Sequence, residues 1–476
     1  MRILFVSPEA VPYSKSGGLA DVAGALPEKL SGPADVTLIS PLYKNSPYDI
    51  SGLKKVFELK VEVAGDELNC IIYEAERKKN FRALLISNDL FFAREFIYGS
   101  NEREYHDNFF RYLFFQNSVI QFIIEEGKGY DIIQINDWQT SLLPALIKEN
   151  KSPVLKKSSI VLTIHNLGYQ GIFEHYYFKD TGLPGYYFTP ESFEFYGKIN
   201  SLKGGIVHSD RVVTVSPNYA REIQTGEFGA GLDGVLTHHS KKVSGILNGA
   251  DYEIWDPEKD PHIYQNYSAE NFKSKMENKA GFFSEFDIPF KKETPLAIAV
   301  TRLTSQKGID ILLKSISDLK GRDINFVILG TGEKRFETEL ENLARTNPGL
   351  IFYKKFDEKL SHKLYASGDI FVMPSLYEPC GLSQLYALRY GTVPVVTSTG
   401  GLEDTVEIIN RKTGTGFKIR EKTSIALSSA LLEAAELFKL PSDWEKTARR
   451  GMGKDFSWGK PGKEYLKIYR QLVKEK

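Results

Sequence analysis

Residues 2–30, RILFVSPEAVPYSKSGGLADVAGALPEKL, contain the pattern on which the fold prediction rests. Residues 3–7 form a short apolar run typical of a strand that is buried on both faces, and residues 20–30 have the periodicity of a helix. A Gly-Gly turn lies between them. A buried strand followed by a helix is the first half of a βαβ unit, so this segment predicts an α/β domain with a parallel sheet.

The same alternation continues along the chain. Short apolar runs separated by helix-length segments predict further strands at residues 36–40, 83–87, 132–135, 160–164 and 211–215. The pattern then starts again, with predicted strands at residues 296–300, 325–329, 351–353, 370–373 and 393–397. We therefore expect two Rossmann-like, doubly wound parallel-sheet domains, with a ligand-binding cleft at the carboxyl ends of both sheets.

The boundary between the two patterns is marked by a change in composition. Residues 251–295 are polar, aromatic and interrupted by prolines, with weak strand character. We place the N-terminal domain at residues 1–245 and the C-terminal domain at residues 246–456. Residues 457–476 predict a terminal helix.

Composition excludes several classes of protein. The 476 residues carry 61 basic and 61 acidic side chains, so a nucleic acid or an anionic membrane is not an expected partner. Cys70 and Cys380 are the only cysteines, which excludes a disulfide framework and a four-cysteine zinc site. This usage is typical of a reducing compartment, and no run reaches the length of a membrane helix, about 18 apolar residues. We therefore expect a soluble, cytoplasmic protein.

Residues with binding chemistry follow the predicted strands of the first half. Lys15, Gly17 and Gly18 precede a helix, where glycines let a ligand approach the backbone and free N–H groups attract an anion. A strand-to-helix turn with a solvated lysine is the alternative. His165 and Asn166 follow another strand, and either a structural or a catalytic histidine fits the pattern.

Asp137 and Trp138 follow a third strand of this half. Asp137 could cap the next helix, and Trp138 could belong to the core.

The second half offers basic side chains at a strand end. Arg302 and Lys307 are five residues apart, and together they could neutralise a diphosphate, although a solvated loop is the alternative. Gly330 and Gly332 form a glycine turn of the nucleotide-binding type. That turn is a weak signal by itself.

The segment Glu378-Pro379-Cys380-Gly381-Leu382 comes shortly after the predicted strand at residues 370–373. A carboxylate can orient sugar hydroxyls, and a helix starting near Gly381 would direct its amides at phosphate oxygens. A surface glutamate before a helix is the alternative. The sequence has no Asp-x-Asp pair to hold a metal on a diphosphate, and no Gly-x-Ser-x-Gly or His-Glu-x-x-His motif.

Taken together, these motifs resemble the bacterial glycogen synthase and plant starch synthase family. The matches, spread over nearly the whole chain in the family order, are Lys15 to Leu19, Asp21, Asp137-Trp138, His165-Asn166, Asn248-Gly249, Arg302, Gln306 to Gly308, Glu378 to Leu382, Gly400 to Leu402 and Asp404 to Val406. The resemblance implies an α/β fold with two Rossmann-like domains in the GT-B arrangement, and a C-terminal helix that crosses back to the first domain. It also implies transfer of glucose from ADP-glucose to the non-reducing end of an α-1,4-glucan, with retention of configuration and without a metal or other cofactor.

The resemblance also implies roles for individual residues. The catalytic group comprises Lys15, Arg302 and Lys307 at the diphosphate, with His165 and Glu378 at the donor glucose. Further donor contacts are implied for Gly17, Gly18, Asp21, Asn166, Asn248, Gly330, Gly332, Tyr353, Cys380, Gly381 and Leu382, with Tyr353 stacking on the base. Acceptor contacts are implied for Tyr98, Asp137 and Trp138.

Three positions depart from the family pattern. Asn136 stands where many relatives have histidine, Ala250 where they have isoleucine, and Tyr386 where the wider fold group has a second glutamate. We expect these changes to affect acceptor preference more than donor chemistry. Two alternatives stay open: a GT-B transferase with a small sugar acceptor, and a glucan-binding relative without activity.

Overall fold

The computed structural model describes residues 1–47, 52–100, 103–287, 291–410 and 413–476. It divides into two compact units. The first consists of Met1–Leu247 and Trp458–Lys476, and the second is Asn248–Ser457. No helix among the described residues has the length and apolar character needed to cross a membrane.

The first unit is built on a twisted, mostly parallel sheet. Its strands are β1 (Arg2–Val6), β2 (Asp35–Pro41), β3 (Lys54–Val63), β4 (Asp66–Lys78), β5 (Phe81–Ser87), β6 (Ile132–Asn136), β7 (Ser159–Ile164), β8 (Ile172–Glu174), β9 (Glu194–Phe195), β10 (Lys198–Asn200), β11 (Arg211–Thr214) and β12 (Val243–Gly245). Its first helices are α1 (Gly18–Leu30), α2 (Asp89–Phe92), α3 (Asn108–Glu126), α4 (Leu143–Glu149), α5 (Ser201–His208), α6 (Pro217–Glu222) and α7 (Asp233–His238).

The strand order explains where a ligand site can form. In the described residues the large sheet runs β12-β11-β7-β6-β1-β2-β5-β4-β3, while β8, β10 and β9 form a separate small sheet. All neighbours from β12 to β5 are parallel. The chain proceeds from β1 to one side and later from β6 to the other, so the two strands flank a topological switch point.

The second unit repeats this plan. Its strands are β13 (Leu296–Val300), β14 (Asn325–Leu329), β15 (Leu350–Tyr353), β16 (Ile370–Met373), β17 (Val393–Thr397) and β18 (Phe417–Ile419). Its helices are α8 (Lys275–Glu285), α9 (Ile309–Asp318), α10 (Lys334–Thr346), α11 (Glu358–Ser367), α12 (Ser383–Arg389), α13 (Gly400–Thr405), α14 (Ser424–Phe438) and α15 (Pro441–Met452). The described strands are parallel in the order β15-β14-β13-β16-β17-β18, which puts the switch point between β13 and β16.

The last helix belongs to the first unit. Helix α16 (Gly459–Glu475) buries Tyr465, Tyr469 and Leu472 in the same apolar core as Ile3 and Phe5 of β1. The Tyr469 hydroxyl donates to Gln134 Oε1 of β6 at 2.9 Å. The core of the first unit is therefore completed by residues from the far end of the chain.

The predicted parallel strands, the helix near Gly381 and the doubly wound fold class are confirmed, but the structure differs from the sequence reasoning at two places. Residues 251–295, expected to have weak strand character, instead contain helix α8. The antiparallel hairpin β3–β4 was not predicted. The helix expected near Gly381 begins at Ser383, directly after Gly381 and Leu382; Gly381 has φ +72° and lies outside the right-handed helical region.

Candidate functional site

In the second unit, two predicted motifs meet at the switch point. Strands β13 and β16 are neighbours, and the loop after β13 lies against the segment after β16. The Leu376 amide donates to Gln306 O at 2.8 Å. A Cβ on Gly308, where φ is +65°, would lie 2.0 Å from Pro374 O, so only glycine allows this approach. The loop that carries Arg302 and Lys307 is thereby held beside Glu378.

Lys307 and Glu378 form a largely buried ion pair. Lys307 Nζ donates to Glu378 Oε2 at 2.5 Å, and Ser375 Oγ donates to the same oxygen at 3.0 Å. Glu378 is 5% exposed, which excludes the surface glutamate that the sequence left open. Arg302, on the same loop, is exposed. The arrangement offers a fixed carboxylate paired with a lysine, and an exposed arginine on the same loop as the lysine, which suits a sugar attached to a diphosphate.

Cys380 and Asn248 lie together close to this pair. Burial raises the pKa of the Cys380 thiol to about 12, so at neutral pH it is not a thiolate nucleophile. Its Sγ forms a hydrogen bond with the backbone of Asn248. Asn248 Oδ1 is buried and has no hydrogen-bond partner within the described part of the chain, so it can accept a hydroxyl from a ligand.

Gly400 and Gly401 support the Glu378 segment from the next strand, β17. A Cβ on Gly400 would lie 1.8 Å from Glu378 O, and one on Gly401 would lie 2.1 Å from Cys380 O. The Gly401 amide donates to Glu378 O at 3.0 Å. The second Gly-Gly pair is therefore required by close backbone packing behind the carboxylate.

Gly330, Gly332 and Tyr353 have local structural explanations. Cβ atoms on the two glycines would lie 1.9 Å from Thr301 O and 2.2 Å from Leu303 O, so the loop after β13 requires both. The Tyr353 ring packs 5.1 Å from that of Phe286, and burial raises its pKa to about 12. Their roles at a nucleoside stay predictions.

In the first unit, the loop before α1 contains a lysine in an ion pair and a glycine with free space above its Cα. Lys15 Nζ contacts Asp21 Oδ1 at 2.7 Å, so the lysine forms an ion pair with the helix it precedes. Gly17 is the N-cap of α1, and a Cβ there would meet no atom within 4 Å. Packing does not require this glycine, which leaves space above its backbone for a ligand.

Asp137 occupies a strained position at the end of β6. Its φ of 55° and ψ of −172° lie in a backbone region that residues other than glycine rarely adopt. Its Oδ1 accepts the His165 amide at 2.7 Å, and the Asn166 amide also contacts the carboxylate. It does not cap the following helix, which was the alternative. Burial raises the pKa of Asp137 to about 7.

The tautomer of His165 is fixed by Asn136, one of the departures from the family pattern. Asn136 Nδ2 donates to Val6 O at 2.9 Å, which turns its Oδ1 toward His165 Nε2 at 3.0 Å. Nε2 must then carry the proton, and Nδ1 is the acceptor of the ring. Burial lowers the pKa of His165 to about 3, so the ring stays uncharged at neutral pH.

The aromatic residues assigned to the acceptor side are largely enclosed. Trp138 is 6% exposed and packs edge-to-face on Tyr112 at 5.1 Å, which is the core position that the sequence left open. Tyr98 is half-buried, and its ring lies 6.1 Å from that of the same Tyr112. Acceptor contacts for both residues stay predictions.

Glu9 is a candidate that the sequence reasoning missed. It follows β1, is 3% exposed and accepts the backbone N–H of Ser16. Burial raises its pKa to about 7. The available signal was its position after a buried strand, next to the lysine loop. Elsewhere, no group of three His, Cys, Asp or Glu residues placed to hold a metal is found among the residues that the structure describes.

Comparisons with known proteins cover both units. A family model for the starch synthase catalytic domain matches residues 2–238, and one for glycosyl transferases group 1 matches residues 282–451. The glycogen synthase of Thermodesulfovibrio yellowstonii is 39% identical, with 100% of this chain and 99% of the relative covered. The glycogen synthase of Thermotoga maritima is 40% identical, with 99% of each chain covered.

Solved structures give the same grouping. The catalytic domain of starch synthase IV from Arabidopsis thaliana, bound to ADP and acarbose, has a TM-score of 0.92 at 30% identity, with 99% of each chain covered. Sucrose-phosphate synthase from Thermosynechococcus elongatus has a TM-score of 0.65 at 16% identity, with 100% of each chain covered, and at that identity it shows only a shared fold.

Proposed function

The chain belongs to the glycogen and starch synthase family of glycosyltransferases, and we propose that it transfers glucose from ADP-glucose to the non-reducing end of an α-1,4-glucan with retention of configuration. The observation that carries the donor assignment is the Lys307–Glu378 pair, whose lysine lies on the same loop as Arg302. The grouping as a hexosyltransferase follows from the family, whereas the ADP donor and the stereochemistry are the proposal.

The basic side chains of the second unit suit a departing diphosphate. Arg302 and Lys307 would neutralise the charge that develops as the bond to glucose breaks, an electrostatic contribution that fixed cations make without a metal. We propose the same role for Lys15 in the first unit. Metal-independent transfer is therefore part of the proposal.

Glu378 is better placed as a ligand for sugar hydroxyls than as a nucleophile. Its Oε2 already accepts from Lys307 and Ser375, which fixes the carboxylate and lowers its reactivity. Asn248 Oδ1 and His165 Nδ1 would accept hydrogen bonds from further hydroxyls of the sugar. Retention through front-face departure, with the leaving phosphate helping to deprotonate the acceptor, needs no covalent intermediate and fits this arrangement.

A transfer assay tests the proposal. The purified full chain is incubated with glycogen and radiolabelled ADP-glucose or UDP-glucose, with and without EDTA. We expect label from ADP-glucose in precipitable glucan, unaffected by EDTA, and α-configured new linkages by NMR. Label in a soluble disaccharide would instead identify a small-acceptor transferase, and glucan binding without transfer from either donor would identify an inactive relative.

The place of action is a further part of the proposal. Cys70 and Cys380 are both free and buried. Two unpaired thiols fit a reducing compartment, and we propose that the enzyme acts in the cytoplasm.

A further inference from the structure

Two loops of the first unit meet at the carboxylate of Glu9. The lysine loop, residues 15–19, contacts it through the backbone N–H and the hydroxyl of Ser16. The Tyr98 loop, residues 93–100, contacts it through the phenol of Tyr98. Because Glu9 is 3% exposed, these contacts replace water as its hydrogen-bond partners.

The Tyr98 loop is tied firmly to the body of the unit. Asn108 Nδ2 donates to Tyr98 O at 2.9 Å, and Arg111 Nη1 donates to Ile97 O at 2.9 Å. The Tyr98 ring also packs against Tyr112, which in turn contacts Trp138. A displacement of the loop or of these rings would move the phenol that Glu9 holds.

We propose that Glu9 is a positioning residue that couples the lysine loop to the Tyr98 loop, so that the nucleoside diphosphate and the α-1,4-glucan bind cooperatively. The inference rests on the proposed function, which assigns the diphosphate to Lys15 and the glucan to Tyr98. Glu9 acts through Ser16 and Tyr98 rather than on either substrate. A ligand that displaces the lysine loop moves Ser16, and the shared carboxylate transmits that displacement to the phenol of Tyr98.

The chemistry of the carboxylate makes the coupling specific. Ser16 and Tyr98 both supply donors, and a carboxylate can accept several hydrogen bonds at once. The Glu9→Gln variant keeps an acceptor oxygen at nearly the same place, whereas Glu9→Ala removes it. Tyr98→Phe deletes the phenol and keeps the ring that packs on Tyr112. These three variants separate the hydrogen bonds from the packing.

Equilibrium binding tests the coupling. The dissociation constant of ADP is measured calorimetrically with and without saturating maltoheptaose. No nucleotide sugar is added, so forward transfer does not contribute to the heat. For the wild type we expect ADP to bind at least about fivefold more tightly with the glucan present, the lower end of common coupling factors. Glu9→Ala and Tyr98→Phe should bring the ratio close to one, and Glu9→Gln should keep most of it.

Several results would overturn the coupling: a wild-type ratio of one, an unchanged ratio in Glu9→Ala, or a Glu9→Gln variant that behaves like Glu9→Ala. A purely structural role would lower the melting temperature or kcat of Glu9→Ala and leave the ratio intact. If near-UV circular dichroism shows that Glu9→Ala is unfolded, the coupling is judged from the ratio of ADP dissociation constants in Tyr98→Phe: a ratio close to one supports it, and the wild-type ratio contradicts it.

The transfer assay on the same wild-type preparation separates the two hypotheses. Absence of transfer contradicts the proposed function, whereas transfer with no coupling contradicts only the role of Glu9. UDP replaces ADP in the titration if transfer occurs only from UDP-glucose.

Discussion

At the scale of single residues, the Lys307–Glu378 pair links stability to chemistry. The side chains are 14% and 6% exposed, so each charge depends on the other for compensation. Removing one partner of a buried pair leaves an uncompensated charge, which costs about 3–5 kcal/mol in proteins generally. A loss of activity at either position therefore needs a separate measurement of stability.

Glu378→Gln should reduce kcat/KM by at least about 10²-fold, roughly 3 kcal/mol, because the neutral amide holds sugar hydroxyls and Lys307 less strongly. Chemical denaturation should show a lower unfolding free energy, and the double variant Lys307→Met/Glu378→Gln should recover part of it without recovering activity. Glu253→Gln is the matched control, since Glu253 pairs with Lys259 but is 87% exposed. Near-normal kcat/KM in Glu378→Gln would contradict the assigned role.

Glu9 and Asp137 predict a pH dependence of stability. Burial raises their pKa values from 4.5 and 3.8 to about 7, so between those limits the folded chain binds more protons than the unfolded chain. The contribution of each carboxyl group to the unfolding free energy should then fall as pH rises through 7, by about 1 kcal/mol between pH 6.5 and 8.5. Lys275 and Lys242, whose pKa values burial lowers to about 7 and about 8, contribute a rise over the same interval, so the prediction concerns the difference between wild type and variant. Burial lowers the pKa of His165 from 6.5 to about 3, so this residue changes the pH dependence of the unfolding free energy only below about pH 6.5.

The measurement is urea denaturation across that pH interval. Relative to the wild-type curve, Glu9→Gln and Asp137→Asn should each remove about 1 kcal/mol of fall over this interval, because an amide cannot ionise. Glu253→Gln should leave the slope unchanged. Variant curves that run parallel to the wild-type curve over this interval would show that the two carboxyl groups do not have raised pKa values.

At the scale of elements, the two Gly-Gly loops look alike in sequence and differ in structure. A Cβ on Gly401 would lie 2.1 Å from Cys380 O, whereas one on Gly17 would meet open space. Gly401→Ala should therefore lower the unfolding free energy by about 1–3 kcal/mol and reduce turnover with it. Gly17→Ala should change stability by less than about 0.5 kcal/mol and weaken nucleotide binding, measured by calorimetry. Equal nucleotide affinity in Gly17→Ala and wild type would remove the lysine loop from the donor site.

The strands that were predicted share one physical property. Residues of β1, β6 and β13 are buried on both faces, so their apolar runs are easy to recognise: those of β1 and β13 are continuous, and only Gln134 interrupts that of β6. β3 and β4 form an antiparallel hairpin whose side chains are mostly exposed or half-buried, and its longest apolar run, residues 70–73, covers only a small part of the two strands. Helix α8 was missed because its apolar residues are separated by lysine and asparagine.

The candidate site was predictable where strand order alone brings residues together. Lys307 and Glu378 follow neighbouring parallel strands, so their proximity follows from the fold. The contact between Glu9 and Tyr98 joins a strand end to an irregular loop, and no periodic pattern indicates it. The strained backbone of Asp137 and the Asn136–His165 hydrogen bond likewise depend on tertiary packing.

At the scale of the whole molecule, the two units have candidate residues at equivalent places in their sheets. In the first unit Lys15 and Asp137 follow β1 and β6, and in the second unit Lys307 and Glu378 follow β13 and β16, which are the switch-point strands of the two sheets. Open α/β sheets bind ligands at that point because the connections there diverge to opposite sides. The strand order thus accounts for the location of motifs that lie far apart in the sequence.

The chain order and the structural units do not coincide, and this predicts how fragments fold. Tyr465 and Tyr469 of α16 are fully buried in the first unit, although α16 follows the whole second unit. Fragment 248–457 should unfold cooperatively in urea, whereas fragment 1–247 should not until a peptide of residues 458–476 is added. In the full chain, Tyr469→Ala should cost about 3–5 kcal/mol and Tyr469→Phe, which loses only the bond to Gln134, about 1 kcal/mol. Cooperative unfolding of fragment 1–247 alone would show that the first unit does not need its last helix.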